Sequence, residues 1–259
     1  MPRKENDVKN ELVLTRDGSH TVYSSLFDQH YHNPNGAVAE NRYVFFEQNG
    51  LLNNLRGNSN INILEIGFGT GLNLLLLLDY YVEHSCKNKI NFYSVEGFPL
   101  SPDTAAHLNF REHVKHPGLI SGVTEIFSDL SEGMNRFNFL KDISVHIYYG
   151  MFNDFKIDDI RADYIFHDAF SPDVNPELWT GEVFKRIKQM SAQDVMLSTY
   201  CAASRARGAL AWAGWKIARA QGALGKREMT LAALDTGRLG ELKRVNEERL
   251  ARRYQEGDF

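Results

Sequence analysis

The 259-residue chain predicts an α/β fold built on a doubly wound, mostly parallel sheet, and three observations carry that prediction. An alternating apolar segment at 61–66 runs directly into glycines at positions 67, 69 and 71, after which Leu72 to Leu78 opens a buried helix. A second alternating segment, 90–95, ends at an acidic residue, Glu96, about one βαβ half-unit later. Further apolar segments at 145–149, 164–167 and 195–199 then alternate with helical patterns, the order that lays helices on both faces of a sheet.

The elements follow in chain order. Residues 1–59 precede the first of these strands and form an appendage, expected to fold across the ligand-binding end of the sheet. Residues 60–236 make the main domain. Within it, about 101–140 has mixed helical periodicity and polar turns such as His116-Pro117-Gly118, and is read as a mainly helical insertion. Helical signals resume at Pro176, a favoured first-turn residue, and run through Val183, Phe184 and Ile187. Residues 205–213 suit a helix stopped by Gly214, and 215–217 with 229–232 close the sheet as a pair of strands. Residues 237–259 form a charged C-terminal helix or tail, with Leu239, Leu242, Val245 and Leu250 as an approximate stripe.

Composition bounds the function. The only cysteines, Cys86 and Cys201, are far apart and lack metal-ligand companions, so neither a disulfide framework nor a metal site is expected. His30 and His32 have no metal partner at useful spacing and read as surface or capping residues. The longest apolar run, 74–78, is too short to span a bilayer, and the first residues lack a signal-like apolar stretch. A cytoplasmic protein with no membrane partner is therefore expected. The net charge of −4 hides an asymmetry: 185–253 holds 15 Lys and Arg against 6 Asp and Glu, an excess of nine, leaving −13 elsewhere. That separation permits a positive face for a polyanion. The alternative, that the basic residues solvate outer helix faces, stays open for the tail and for Arg205 and Arg207.

In doubly wound sheets ligands bind beyond the carboxyl ends of the strands. That rule selects four loops: 67–73, 96–98, 150–154 and 168–175. Glycine is needed where the backbone takes positive φ or lies against a ligand. A dinucleotide fingerprint requires G-x-G-x-x-G, but here the third glycine arrives one place early, at Gly71, and Leu72 holds the dinucleotide position. With Glu65 two residues ahead, the resulting E-x-G-x-G-x-G resembles the first motif of class I S-adenosylmethionine methyltransferases. Glu96 suits a ribose diol; it also reads as a solvated strand-end carboxylate. Asp168, at the end of the fourth strand, can orient an amine and take up its proton, although Asp also caps turns in such loops. Phe170 and Pro172 are positioned to wall an acceptor pocket, and His167 alternates to the opposite face.

A more specific resemblance rests on Val22-Tyr23-Ser24-Ser25-Leu26-Phe27-Asp28, Asn41-Arg42-Tyr43-Val44-Phe45, the glycine segment from Glu65 to Asn73, and Ser94-Val95-Glu96-Gly97-Phe98-Pro99-Leu100. It continues through Asp168-Ala169-Phe170-Ser171-Pro172, Asn175-Pro176-Glu177-Leu178-Trp179-Thr180 and Gly225-Lys226-Arg227-Glu228-Met229. Together these look like the methyltransferase part of the MnmC family, in order over most of 20–233. The resemblance implies a class I methyltransferase fold with a seven-stranded sheet. It also implies S-adenosylmethionine (SAM)-dependent methylation of the aminomethyl group of 5-aminomethyl-2-thiouridine at the tRNA wobble position.

The implied cofactor site comprises Tyr23, Phe27, Glu65, Gly67, Gly69, Gly71, Asn73, Glu96, Gly97 and Phe98. The chain departs from the family at Met151, where an acidic residue usually follows the glycine, and Asp154 would take over adenine recognition. Asp168 would be the catalytic carboxylate. Phe170, Pro172, Trp179, Arg205, Arg207, Lys226 and Arg227 would meet the anticodon arm, Phe170 or Trp179 by stacking on a splayed base; Trp179 equally suits a core. No fused FAD-dependent oxidase is expected, which leaves room for a separate oxidase partner. The competing readings are an N-methyltransferase for a small-molecule or protein amine, a SAM-binding partner without turnover, and a nicotinamide oxidoreductase, the last disfavoured by the glycine spacing.

Overall fold

The computed structural model describes residues 10–157 and 159–259. In the appendage, β1 (Asn10–Leu14), β2 (His20–Ser24) and β3 (Gln29–His30) form a small antiparallel sheet. Helix α1 (Ala37–Arg42), a π-helical turn (Tyr43–Glu47) and α2 (Leu51–Asn54) lead to the main sheet. Residues 1–9 of the predicted appendage lie outside the described residues.

The main domain runs β4 (Ile61–Ile66), α3 (Leu72–Glu83), β5 (Ile90–Glu96), α4 (Pro102–Ala106), α5 (Ile120–Asp129), β6 (Gly133–Phe139) and β7 (Ile143–Tyr149). It continues with β8 (Ala162–His167), α6 (Gly181–Gln189), β9 (Ser191–Thr199), α7 (Ser204–Trp212), β10 (Lys216–Ala220) and β11 (Met229–Ala233). Strand β12 (Lys243–Arg244) and α8 (Glu247–Glu256) follow.

The strands order as β12-β10-β11-β9-β8-β4-β5-β7-β6. The five from β9 to β7 pair in parallel, and β11 pairs antiparallel with both β9 and β10. The seven strands from β10 to β7 are thus the expected mostly parallel sheet. Strands β6 and β12 extend it at either edge, each antiparallel to its neighbour.

Strand β6 corrects the helical reading of 101–140. Helix occupies 102–106 and 120–129, whereas 133–139 is a strand whose half-buried and exposed residues alternate. Its inward row includes the polar Asn135, whose amide donates to the Ile147 carbonyl at 3.3 Å, so the apolar alternation that marks a half-buried strand is broken in the sequence. The C-terminal stripe is likewise divided: Leu239 ends a 3₁₀ turn (Thr236–Leu239), Val245 follows β12, and only Leu250 belongs to α8. Helix α8 packs on α7 where Gly208 leaves room for Tyr254, whose hydroxyl accepts the Gly181 N–H at the start of α6, 2.9 Å away.

Apolar side chains form two clusters. One gathers Leu74 to Leu78 of α3, Phe92 and Phe166 with Val38, Phe45 and Phe46 from the appendage. The other gathers Trp179, Phe184 and Trp215 with residues of α7. Burying Phe45 and Phe46 contributes roughly 1.5–3 kcal/mol each, which ties the appendage to the main core.

The pairing registers position the site. Ile66 aligns with Val95 on one side and with His167 on the other, and Glu96 aligns with Tyr149. Strands β4, β5, β7 and β8 therefore end level, and the residues after them, Gly67, Gly97, Gly150 and Asp168, converge on one edge. The chain runs outward from β4 in both directions, through β5 to β7 and through β8 to β9, which opens a crevice at the switch point.

Candidate active site

The glycine loop is forced into shape by its neighbours. Gly67 has φ +96°, and a Cβ there would lie 2.9 Å from the carbonyl oxygen of Asp168. The loop after β4 and the loop after β8 thus touch main chain to main chain. A Cβ at Gly69, φ +54°, would meet the Tyr31 ring at 3.2 Å. At Gly71 the obstruction is core packing, with Val123 at 3.0 Å and Phe68 at 3.2 Å, and its carbonyl accepts the Leu75 N–H of α3 at 3.0 Å.

Over this loop lies a cleft of about 960 Å³, open mouth included. It brings together Phe27, Gly67, Gly69, Asn73, Glu96, Gly97, Phe98, Asp168 and Phe170 of the predicted set. Glu96 accepts the N–H of Gly69 and that of Phe98, one on each carboxylate oxygen, both at 2.8 Å. Each oxygen keeps a further lone pair. Burial raises the Glu96 pKa, and these amides oppose the shift. On the opposite wall Phe27 stacks on Phe170 at 4.6 Å, with Phe98 and Tyr31 edge-on to this pair.

A linked set of buried polar groups runs from beneath the cleft floor, at Glu65 and Ser94, up to Asn73 and Asp168 in its lining. Glu65 is 1% exposed; its carboxylate accepts from Ser94 Oγ at 2.7 Å and from Asn73 Nδ2 at 3.0 Å. Burial pushes its pKa up to about 8, against the pull of those two bonds. Asn73 Nδ2 also donates to Asp168 Oδ2 at 3.1 Å. The Asp168 carboxyl is held well above its ordinary range, first by desolvation and then by the carboxylates of Glu65 and Glu40, with the Asn73 bond and Lys226 pulling the other way. A carboxyl so placed favours taking up a proton.

A second cleft, enclosing about 1120 Å³ of open space, is lined by Pro172, which therefore does not share the first cleft's wall with Phe170 as predicted, and by Tyr200, Arg207, Arg219, Lys226, Arg227 and Glu228. Lys226 Nζ pairs with Glu40 at 2.6 Å and sits 5.0 Å above the Tyr200 ring. Arg207 is 5% exposed and engaged by Thr230, Glu228 and the Met229 carbonyl, so it shapes the cleft wall while its donors are largely committed.

Several predicted residues lie elsewhere. Tyr23 turns to Asp28 and packs on His30 at 5.2 Å, leaving the cleft to Tyr31. Glu65 and Gly71 support the floor without lining it. Asp154 is exposed in a 3₁₀ turn, and Met151, Phe152 and Asn153 face the cleft instead. Trp179 is 2% exposed and donates from Nε1 to the Phe170 carbonyl at 2.7 Å; it holds Phe170 from behind and offers no free face. Arg205 is exposed and lines neither cleft.

Sequence reasoning missed Tyr31, His32 and Asn41, all in the cleft wall. His32, expected at the surface or as a cap, is enclosed: its Nε2 lies 3.3 Å from Thr70 Oγ1 and its Nδ1 3.2 Å from Thr21 Oγ1, and burial lowers its pKa to about 4. The one signal for these three was their place beside the Tyr23–Phe27 and Asn41–Phe45 segments. Among the described residues no three His, Cys, Asp or Glu side chains are grouped to hold a metal, and no helix is long and apolar enough to cross a membrane.

Residues 119–235 match a family described as S-adenosyl-L-methionine-dependent methyltransferase. The "tRNA 5-methylaminomethyl-2-thiouridine biosynthesis bifunctional protein MnmC" of Leptospira interrogans is 33% identical over 241 residues, covering 85% of this chain and 35% of that protein. The protein of the same name from Leptospira borgpetersenii is 35% identical over 219 residues, covering 81% of this chain and 33% of its own length. The chain therefore spans about a third of the length of these curated relatives. The crystal structure of MnmC2 from Aquifex aeolicus superposes with a TM-score of 0.73 at 25% identity, covering 97% of this chain and 77% of that one. With the glycine loop, the level strand ends and these similarities in agreement, the chain belongs to the family of S-adenosyl-L-methionine-dependent methyltransferases that includes the methyltransferase part of MnmC.

Proposed function

We infer that this protein methylates the aminomethyl nitrogen of 5-aminomethyl-2-thiouridine at the wobble position of tRNA, giving 5-methylaminomethyl-2-thiouridine. The observation that carries the reading is the Asp168 carboxylate in the wall of the glycine-loop cleft, in a chain similar over more than four-fifths of its length to proteins named for that modification.

The residues present fit the family's cofactor. Gly67 and Gly69 present main chain to the cleft, the free lone pairs of Glu96 suit two ribose hydroxyls, and Phe98, Met151 and Phe152 offer apolar walls for a planar base. When bound, S-adenosylmethionine supplies a methyl group already activated as a sulfonium. What remains for the protein is to place an uncharged amine and remove its proton. Asp168 accepts a hydrogen bond from the amine and takes up the proton that the nitrogen sheds as its new C–N bond forms; its raised pKa matches that role. Phe27, Tyr31 and Phe170 narrow the mouth and exclude water, and the aromatic surface suits a base turned out of the anticodon loop.

Lys226 and Arg227, with Arg219, give the second cleft its positive wall, where the phosphates of the anticodon arm would lie. The proposal includes a cytoplasmic reaction, with the oxidative step that yields the primary amine performed by an FAD-dependent domain or partner outside residues 10–259. Replacing Asp168 by Ala tests the assignment. Turnover on tRNA should fall on the order of 10²- to 10⁴-fold while the cofactor dissociation constant stays near wild type; an unchanged rate removes Asp168 from the mechanism.

A further inference from the structure

The amide of Asn73 serves two carboxylates at once. Its Nδ2 donates to Glu65 Oε1 at 3.0 Å and to Asp168 Oδ2 at 3.1 Å. An amide nitrogen has two protons, and the two carboxyl oxygens facing it, Glu65 Oε1 and Asp168 Oδ2, act as acceptors, a proton held by Glu65 being accommodated at Oε2 against Ser94 Oγ, so this arrangement requires the Asn73 oxygen to point the other way. There it meets Asn41, whose Nδ2 donates to Asn73 Oδ1 at 2.9 Å. Both asparagines are 2% exposed, so a wrongly turned amide would leave buried groups facing like partners. Asn41 comes from α1 in the appendage, and its neighbour Glu40 holds Lys226 of the second cleft. Among the described residues Asp168 Oδ1 receives no hydrogen bond, so fixing Oδ2 leaves Oδ1 available.

We propose that Asn41 is a positioning residue for the methyl-transfer step: acting through Asn73, it sets the donor face of that amide toward Asp168 and so determines which carboxylate oxygen stays free for the acceptor amine. The proposal rests on the reading of Asp168 as the carboxylate that serves the acceptor. It gives the appendage a part in the chemistry, since the outermost link of the relay lies outside the main domain. The charged or titratable groups facing Asp168 are Glu65 on β4, Glu40 on α1, Lys226 ahead of β11 and Tyr200 after β9, and Asn41 leaves the charge of each unchanged.

Two variants test it, Asn41→Leu, which removes the donor without adding charge, and Asn41→Asp, which preserves volume and sets an acceptor against Asn73 Oδ1. The first measurement needs no cofactor: a carboxyl carbon-13 NMR titration of Asp168 in the ligand-free protein. Weakening the Asn73 bond should move its midpoint upward in both variants, by about one pH unit or a tenfold change in the ionisation constant in Asn41→Asp. The second is steady-state methyl transfer to tRNA, where kcat should fall on the order of 10- to 100-fold with KM for tRNA unchanged and the acid limb of the pH profile displaced upward. Thermal melting identifies a variant that fails to fold; if Asn41→Leu does so, Asn41→Ala, which also removes the donor without adding charge, takes its place and is read by the same outcomes.

A wild-type titration and a wild-type kcat in Asn41→Leu would overturn the proposal, as would a shift in Asn41→Asp alone, which the added charge explains by itself. Asp168→Asn in the same assay separates the two readings. If it transfers methyl at the wild-type rate, the role of Asp168 fails, while the NMR titration still decides whether Asn41 orients it.

Discussion

Replacing Glu65 by Gln is expected to stabilise the ligand-free protein progressively as pH rises, with little effect near pH 5. The side chain is 1% exposed and its pKa is raised from 4.5 to about 8, chiefly by burial. A folded-state pKa above the unfolded one means that the folded protein keeps a proton the unfolded chain has released. The resulting stability is fully present below about 4.5 and is lost as pH rises through about 8, at about 1.4 kcal/mol per pH unit. Over that window the loss reaches about 5 kcal/mol at most, a large share of the stability of an ordinary domain. Gln keeps the geometry of the neutral acid: its oxygen can accept from Asn73 and its amide can donate to Ser94 Oγ, in place of the bonds at 3.0 and 2.7 Å. The assay is urea unfolding of both proteins from about pH 5 to about pH 9, read as the stability difference at each pH. His32 and His167, both lowered to about 4 by burial, add stability that is present above about 6.5 and lost as pH falls through about 4, but they are common to both proteins and cancel in that difference. A stability gap that stays flat with pH, or a variant less stable than wild type at the alkaline end, would refute the assignment of Glu65 as a neutral buried acid.

Three further expectations concern the clefts. Glu96→Ala removes the acceptor for a ribose diol, and with charge-assisted bonds at about 1.5–3 kcal/mol each the cofactor dissociation constant measured by calorimetry should rise at least about tenfold; unchanged binding would displace Glu96 from the cofactor site. Gly67→Ala forces a Cβ to 2.9 Å from the Asp168 carbonyl at φ +96°, so it should destabilise by about 1–3 kcal/mol in thermal unfolding, and a melting temperature equal to wild type would contradict the close approach. Lys226→Ala combined with Arg227→Ala should raise KM for tRNA and lower the slope of log affinity against log salt by roughly one for each phosphate no longer neutralised; an unchanged slope would move the tRNA face elsewhere.

What the sequence disclosed was mostly what short segments encode. The strand, glycine loop and helix at 61–83 are contiguous, and the glycine spacing reports directly on main-chain geometry, so the loop was legible without its partners. Glu96 and Asp168 were legible because a strand end states where its last residue points once the sheet is assumed parallel. The appendage was not legible in the same way. Tyr31, His32 and Asn41 reach the cleft through tertiary contacts with Gly69, Thr70 and Asn73, and no local pattern encodes a partner more than thirty residues away. The basic residues show a different limit. Arg207 and Lys226 read alike in a charge count, yet Arg207 is buried among Thr230, Glu228 and Met229 while Lys226 reaches across to Glu40. Trp179 suits both a stacking platform and a core by sequence, and packing against His167 at 4.4 Å and Phe184 at 6.3 Å places it in the core. Asp154 failed for a reason of phase: the 3₁₀ turn at Phe152–Asp154 directs Asn153, one residue earlier, to the cleft.

The most direct test of the central claim is transfer of labelled methyl from S-adenosylmethionine by the purified protein to tRNA carrying 5-aminomethyl-2-thiouridine, followed by nucleoside analysis. The account predicts a labelled 5-methylaminomethyl-2-thiouridine peak that is strongly diminished with Asp168→Ala. Measurable cofactor binding without label in that nucleoside would contradict the proposed substrate while leaving the methyltransferase fold in place.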